Sequence, residues 1–199
     1  MATTLAEIRK FLDERDFRYE VDEARERIML GFGAKSYRME DGDATIPVVI
    51  RLDESGDYVE FSAPSLYHYK EGPNGFAVLG ACLFICYTTK LVQFEFDPDD
   101  GEIRATVELP LEDAQLTSRQ FHRCLRTMLQ IVDKFHVTIR TAIETGKIIL
   151  PVSEPEAPVP SAQLAQLMEL LGKVDPAKLK ALLEQAGAMK PSGNGPTEL

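Results

Sequence analysis

The pattern of apolar and polar residues along the chain predicts an α+β fold built on a twisted antiparallel sheet of five to six strands. Leu5, Ile8, Phe11 and Leu12 recur at helical spacing, so residues 3–15 are expected to form an amphipathic helix. After this helix, apolar and polar residues alternate, which is typical of strands with one buried face. Six such runs lie at residues 17–21, 28–32, 46–52, 59–63, 91–96 and 103–109.

Two clusters of turn-forming residues join these runs into hairpins. The sequence from Asp53 to Asp57 separates the third and fourth runs, and that from Asp97 to Gly101 separates the fifth and sixth. The aspartates before Gly101 also suggest a calcium loop. However, an EF-hand needs flanking helices and a glutamate further along the chain, whereas strands are predicted on both sides here. A tight turn is therefore favoured.

Two further helices are predicted between and after the hairpins. The segment from Phe76 to Tyr87 is almost entirely apolar and is expected to be a buried helix lying across the sheet. A longer amphipathic helix is expected to begin at Thr117, with Gln120 in the capping-box position, and to end at Gly146.

The composition changes at Pro151, which predicts a separate C-terminal part. Residues 1–150 are expected to form the α+β domain, 151–160 a proline-rich linker, 161–187 a pair of short helices and 188–199 a disordered tail. The pair carries apolar faces that could dock on the domain, pair between subunits or capture a partner helix. We expect a movable interaction module. Its apolar residues are Leu164, Leu167, Met168, Leu171, Leu179, Leu182 and Leu183.

Charge and hydropathy restrict the partners of this protein. The formal net charge of -10 repels phosphate backbones and anionic lipid surfaces, so no nucleic acid or membrane partner is expected. The longest apolar stretch is too short to span a bilayer, and the first residues lack a signal-peptide pattern. Three cysteines, an odd number within apolar segments, indicate a reducing compartment. A cytoplasmic location is expected.

Several segments of the predicted sheet resemble those of the bacterial YbjN family. The resemblance is carried by residues 46–50, 58–64, 90–97 and 101–105 within a region that spans about residues 5–147. That family is associated with sensory-transduction regulation and has the fold of type III secretion chaperones. The resemblance implies a sheet flanked by helices, frequent dimerisation and action through protein contacts. None of the matching positions is a catalytic residue.

No set of residues in the sequence predicts catalysis, a cofactor or a metal site. Cys82 and Cys86 lie one helical turn apart but are expected to be buried thiols. The three histidines, His68, His122 and His136, fall in different elements and outside any nucleophile motif. The aromatic pair around His68 could stack on a ligand, although a strand end is the more ordinary explanation.

These observations together predict a non-enzymatic, chaperone-like or regulatory adaptor that binds another protein and forms a homodimer. The C-terminal leucines are candidate contact residues, as is a stripe of arginines that could meet an acidic partner. The stripe consists of Arg119, Arg123 and Arg126. The alternative function is a small-ligand sensor with a pocket between the sheet and the helix at residues 76–87.

Overall fold

The computed structural model describes residues 2–151, which form a six-stranded antiparallel sheet with flanking helices and confirm the predicted fold class. The strand order is β1-β2-β3-β4-β6-β5. The strands are β1 (Glu20–Asp22), β2 (Arg27–Gly33), β3 (Thr45–Asp53), β4 (Tyr58–His68), β5 (Gln93–Phe96) and β6 (Glu102–Pro110). The helices are α1 (Leu5–Asp13), α2 (Gly75–Thr88) and α3 (Ser118–Thr145).

The core lies where α1, α3 and the middle of the sheet meet. Phe121 of α3 is fully buried, and its ring centroid lies 5.5 Å from that of Phe11 and 5.3 Å from that of Phe61. α3 carries the longest buried stripe because its apolar residues recur at helical spacing. Its predicted limits are confirmed: Thr117 and Gln120 form a capping box, and Gly146 ends the helix with a φ of 70°.

Both predicted hairpins are present. β3 pairs with β4, and β5 pairs with β6. In the second turn, Asp97 Oδ1 accepts a hydrogen bond from the Asp99 amide at 2.9 Å, and Asp100 Oδ1 accepts one from Glu102 at 2.8 Å. These carboxylates thus satisfy the backbone of their own turn, as expected for a hairpin connection.

The first predicted strand is shorter than the sequence pattern indicates. Only Glu20–Asp22 pair with β2, whereas Phe17 precedes the strand. Asp16 adopts a φ of 53°, and the Phe17 amide donates to the Leu12 carbonyl at 3.2 Å, so a tight turn folds Phe17 back beside α1. The alternating pattern at residues 17–21 therefore has two origins: Phe17 packs beside α1, whereas Val21 belongs to β1.

The predicted helical pair lies outside the described residues, as do the tail and the linker after Pro151. The seven apolar residues from Leu164 to Leu183 belong to that part of the chain. Their role in partner binding stays a prediction.

Candidate protein-binding surface

The helix α2 is apolar on two opposite sides, and only one of them is covered. Val78, Ala81, Cys82 and Ile85 are buried against the rest of the domain. The other side, which we call the α2 outer face, exposes large apolar side chains. These are Phe76 (95% exposed), Leu79 (42%), Leu83 (71%) and Tyr87 (87%).

The predicted helix at residues 76–87 is confirmed, but the prediction that it is buried is wrong for the side that carries these four residues. α2 packs on α3 and β5, which both lie on its inner side. Within residues 2–151 no further element covers the outer face. The four exposed residues recur at intervals of three and four, so they form one stripe along the helix. α2 contains no charged side chain, and the stripe is uninterrupted by polar groups.

Hydrogen bonds hold both ends of α2 in place. At its start, Asn74 Nδ2 donates to the Ile143 carbonyl of α3 at 2.9 Å, and the Asn74 amide donates to the Tyr69 hydroxyl at 2.7 Å. At its end, Cys86 Sγ accepts a hydrogen bond from the Phe94 amide of β5 at 3.2 Å. The outer face is consequently carried by a fixed helix, and little ordering cost is expected when a partner binds.

The chain after α3 extends this apolar surface. Thr138 Oγ1 donates to the Ile149 carbonyl at 2.6 Å, which shows that the chain returns along α3. Ile148 packs against Gly80 of α2, where an added Cβ would lie 3.4 Å from Ile148 Cδ1. Ile148, Ile149 and Leu150 are each about half exposed, at 44%, 52% and 44%. We call the α2 outer face together with residues 148–150 the α2 surface.

The expectation of buried thiols is confirmed for Cys82, whereas Cys86 is only partly buried. Cys82 is buried on the inner side of α2, and burial raises the pKa of its thiol to about 12. Cys124 on α3 is also buried, and burial raises the pKa of that thiol too. A protonated thiol is a poor nucleophile and a poor metal ligand. In the part of the chain that the structure describes, no cluster of three or more His, Cys, Asp or Glu side chains could hold a metal ion.

The histidines are separated, and one of them belongs to a buried aromatic cluster that the sequence analysis missed. His136 Nδ1 lies 3.1 Å from the Tyr67 hydroxyl, and the Tyr37 ring packs edge-on to both rings. Burial, with Arg140 and Arg38 nearby, lowers the pKa of His136. Because Tyr67 is buried in this cluster, the aromatic pair around His68 does not form a stacking platform.

The three arginines of the predicted stripe are all exposed, but they border different surfaces. Arg119 and Arg123 lie beside the capping residues at the start of α3. Arg126 lines a separate pocket on the α1 side of the domain. Within the described residues, none of the three forms an ion pair. Their role in partner binding stays a prediction.

No helix within residues 2–151 combines the length and the hydropathy that crossing a membrane requires. No protein-family model matches the chain, and no curated protein matches it.

Solved structures similar to this chain include the crystal structure of YbjN from E. coli, the family that the sequence resembles. The two are 14% identical, with a TM-score of 0.48, over 71% of this chain and 93% of that one. A chain of the HopA1-SchA chaperone-effector complex is 12% identical, with a TM-score of 0.44, over 64% and 88% of the two chains. A chain of the ExsC-ExsE complex is 16% identical, with a TM-score of 0.44, over 77% and 100%.

Proposed function

We propose that this chain is a non-enzymatic, chaperone-like or regulatory adaptor of the bacterial cytoplasm, and that it forms a homodimer through the α2 surface. The observation that carries the proposal is the α2 outer face, which exposes two aromatic and two leucine side chains on a helix without charges. Exposed contiguous apolar surface on a folded domain marks an interaction site.

The shape of the surface favours a protein partner over a small molecule. Small ligands bind in concave sites that enclose most of their area, whereas the α2 outer face is the convex side of a helix. A helix that is apolar all round is ordinarily covered on all sides. A second helix of similar character packed along the stripe would complete this burial.

The charge distribution favours a second copy of this chain as the occupant. The chain has a net charge of -10, so two copies repel each other over most of their surfaces. The α2 outer face adds no charge of its own to that repulsion, because α2 has no charged residue. In an isologous dimer the same patch meets itself, and a purely apolar stripe is complementary to its own copy.

The exposed apolar area of the α2 outer face is also large enough for a specific dimer interface. The side chains of Phe76 and Tyr87, 95% and 87% exposed, present about 350 Å² if each ring side chain offers ~200 Å². With the leucines added and two copies counted, the buried area reaches roughly 1,000 Å², near the lower limit for a specific interface.

Dimerisation through α2 would leave a sheet edge free for a polypeptide partner. The strand order places β1 at the edge opposite β5, the strand on which α2 packs. β1 offers only three residues, but within residues 2–151 no strand pairs with its outer side, where a strand of a partner could be added. The unpaired cysteines within the described residues and the resemblance to a bacterial family support the proposed compartment.

The dimer is tested by sedimentation velocity on the full chain. We expect a dimer for the wild-type protein and a monomer for Leu83→Glu, since a carboxylate in the centre of the apolar contact would be buried without a partner. Gln115→Glu adds the same charge at an exposed loop position and should stay dimeric. A wild-type chain that is monomeric at micromolar concentration, or a Leu83→Glu variant that is still dimeric, would contradict the proposal.

The adaptor function is tested separately by photo-crosslinking in cells. A crosslinker placed at Glu20 on the β1 edge should repeatedly trap the same polypeptide, whereas one at Gln115 should not. If Glu20 traps nothing while the dimer is intact, the adaptor part of the proposal is wrong and the dimer part stands.

A further inference from the structure

A second surface feature is a pocket that is lined by apolar side chains and two arginines, and α2 contributes none of its lining. Its walls come from α3, from the turn after α1 and from β2, and its volume is about 290 Å³. This volume is close to the lower end of the range for ligand pockets, about 300–1,000 Å³. The lining residues are Arg15, Phe17, Phe32, His122, Leu125, Arg126, Leu129 and Gln130.

The apolar walls are fixed by contacts with the rest of the fold. The tight turn after α1 folds Phe17 back so that its ring meets Phe32 of β2 edge-on, with centroids 5.2 Å apart. Leu125 is 2% exposed and belongs to the core cluster. The pocket is therefore an existing cavity between packed side chains and needs no rearrangement to form.

The mouth of the pocket carries two positive charges without partners. Arg15 and Arg126 are exposed, and neither forms an ion pair within the part of the chain that is described. Two guanidinium groups without ion pairs at one apolar pocket are unusual in a chain of net charge -10. Arginine binds carboxylates well because its planar group can donate two parallel hydrogen bonds.

A third polar group, the imidazole of His122, also lines the pocket. His122 Nε2 is buried and makes no hydrogen bond, since Glu14 Oε2 lies 3.8 Å away and accepts instead from Ser118 Oγ at 2.5 Å. Burial, followed by the charge of Arg15, lowers the pKa of His122. The imidazole therefore contributes to the pocket wall as a neutral ring and requires no counter-charge there.

We propose that this pocket binds a small monocarboxylate with an apolar body, with the body between Phe17, Phe32 and Leu125 and the carboxylate at Arg15 and Arg126. This goes beyond the proposed function, because the pocket and the α2 surface share no residue. The limited volume and the apolar walls disfavour nucleotides and other polyanions. A single carboxylate satisfies both arginines without placing charge in the apolar interior.

The experiment is isothermal titration of the full chain with octanoate below its micelle concentration, beside octan-1-ol and octylammonium. Octanoate should bind, octan-1-ol about tenfold more weakly, and octylammonium without measurable affinity, because a charge-assisted hydrogen bond contributes more than a neutral one. Equal affinity for octanoate and octan-1-ol, or no heat with octanoate at millimolar concentration, would overturn the proposal.

Variants locate the site. Arg15→Gln and Arg126→Gln should each weaken octanoate binding about tenfold, while Arg119→Gln, on the same helix as Arg126 but outside the pocket, should leave it unchanged. Amide shifts in a two-dimensional NMR spectrum should centre on Phe17 and Phe32.

Shifts centred on α2, or binding that Leu83→Glu abolishes, would place octanoate on the α2 surface and refute the assignment. An acidic, apolar peptide that binds the pocket while octanoate does not would also refute it.

Discussion

Truncation of Leu83 to alanine should weaken the dimer strongly and leave the fold of each chain almost unchanged. Leu83 is 71% exposed in the single chain, and alanine is the better helix former. In the dimer, the substitution removes three carbon groups worth about 0.8 kcal/mol each. Scaled by the 71% exposure, this is about 1.7 kcal/mol per copy and about 3.4 kcal/mol for both copies. The dimer Kd should therefore rise roughly 300-fold.

Ile85 provides the matched comparison, because it lies two residues further along α2 on the inner face and is fully buried. Ile85→Ala should cost about 2–5 kcal/mol of folding free energy through the cavity it leaves. Sedimentation velocity over a range of concentrations gives the dimer Kd. Urea unfolding at a protein concentration below the dimer Kd gives the stability of the single chain.

The two variants should thus give opposite patterns, with Leu83→Ala affecting the Kd and Ile85→Ala the urea midpoint. If Leu83→Ala lowered the urea midpoint of the single chain as much as Ile85→Ala, the outer face would be packed within the monomer. If Leu83→Ala dimerised with the wild-type Kd, the contact surface would lie elsewhere. Either result would refute the reasoning.

Three further predictions concern stability, all measurable by urea unfolding. Gly56→Ala should lower the free energy of unfolding more than Gly42→Ala does. Both glycines have φ near +90°, so backbone strain costs about 1–2 kcal/mol in each variant. Only at Gly56 would the new Cβ also collide with the Thr3 carbonyl oxygen. Equal costs would contradict this. Burial lowers the pKa of His122 and His136 in the fold. The unfolded chain therefore binds more protons below about pH 6.5, and stability should fall from pH 7 to 5.5 by up to ~1.4 kcal/mol per histidine per pH unit. The double His→Gln variant should show a flatter slope, and an unchanged slope would contradict the assignment. A chain that ends at Pro151 should unfold cooperatively, because residues 2–151 already contain a large buried core cluster. A broad, non-cooperative transition would show that the core also needs residues 152–199.

The elements that could be predicted from the sequence are those fixed by neighbours in the chain. The start of α3 depends on Thr117 and Gln120, whose side chains each accept a hydrogen bond from the other's amide, at 3.2 and 3.0 Å. Its end depends on Gly146, which adopts a left-handed φ without a Cβ penalty. The hairpin turns depend equally on local residues. Capping and turn residues act on the backbone within a few positions of themselves, so their effect depends little on the rest of the fold.

The arrangement of the hairpins and the pocket could not be predicted in this way. Alternation shows which face of a strand is buried, but it does not show which strand lies beside it. The pairing of β4 with β6 joins the two hairpins into one sheet and connects residues such as Phe61 and Val107, which lie 46 positions apart in the chain. The ligand pocket likewise draws on the turn after α1, on β2 and on α3, and no local motif marks such a combination.

The error at α2 has a different origin, and it explains why the proposed interface was not found from the sequence. Periodicity locates a buried face only when the opposite face is polar, and α2 has no polar face to set the contrast. A residue that faces the core and one that faces a partner subunit are both removed from water, so both are selected as apolar. Leu83 and Ile85 are therefore indistinguishable by composition, although the fold exposes 71% of one and none of the other. Only the number of elements available to cover the helix separates the two cases. Within residues 2–151 that number is sufficient for one side of α2, and the exposed side is the surface on which the proposed dimer rests.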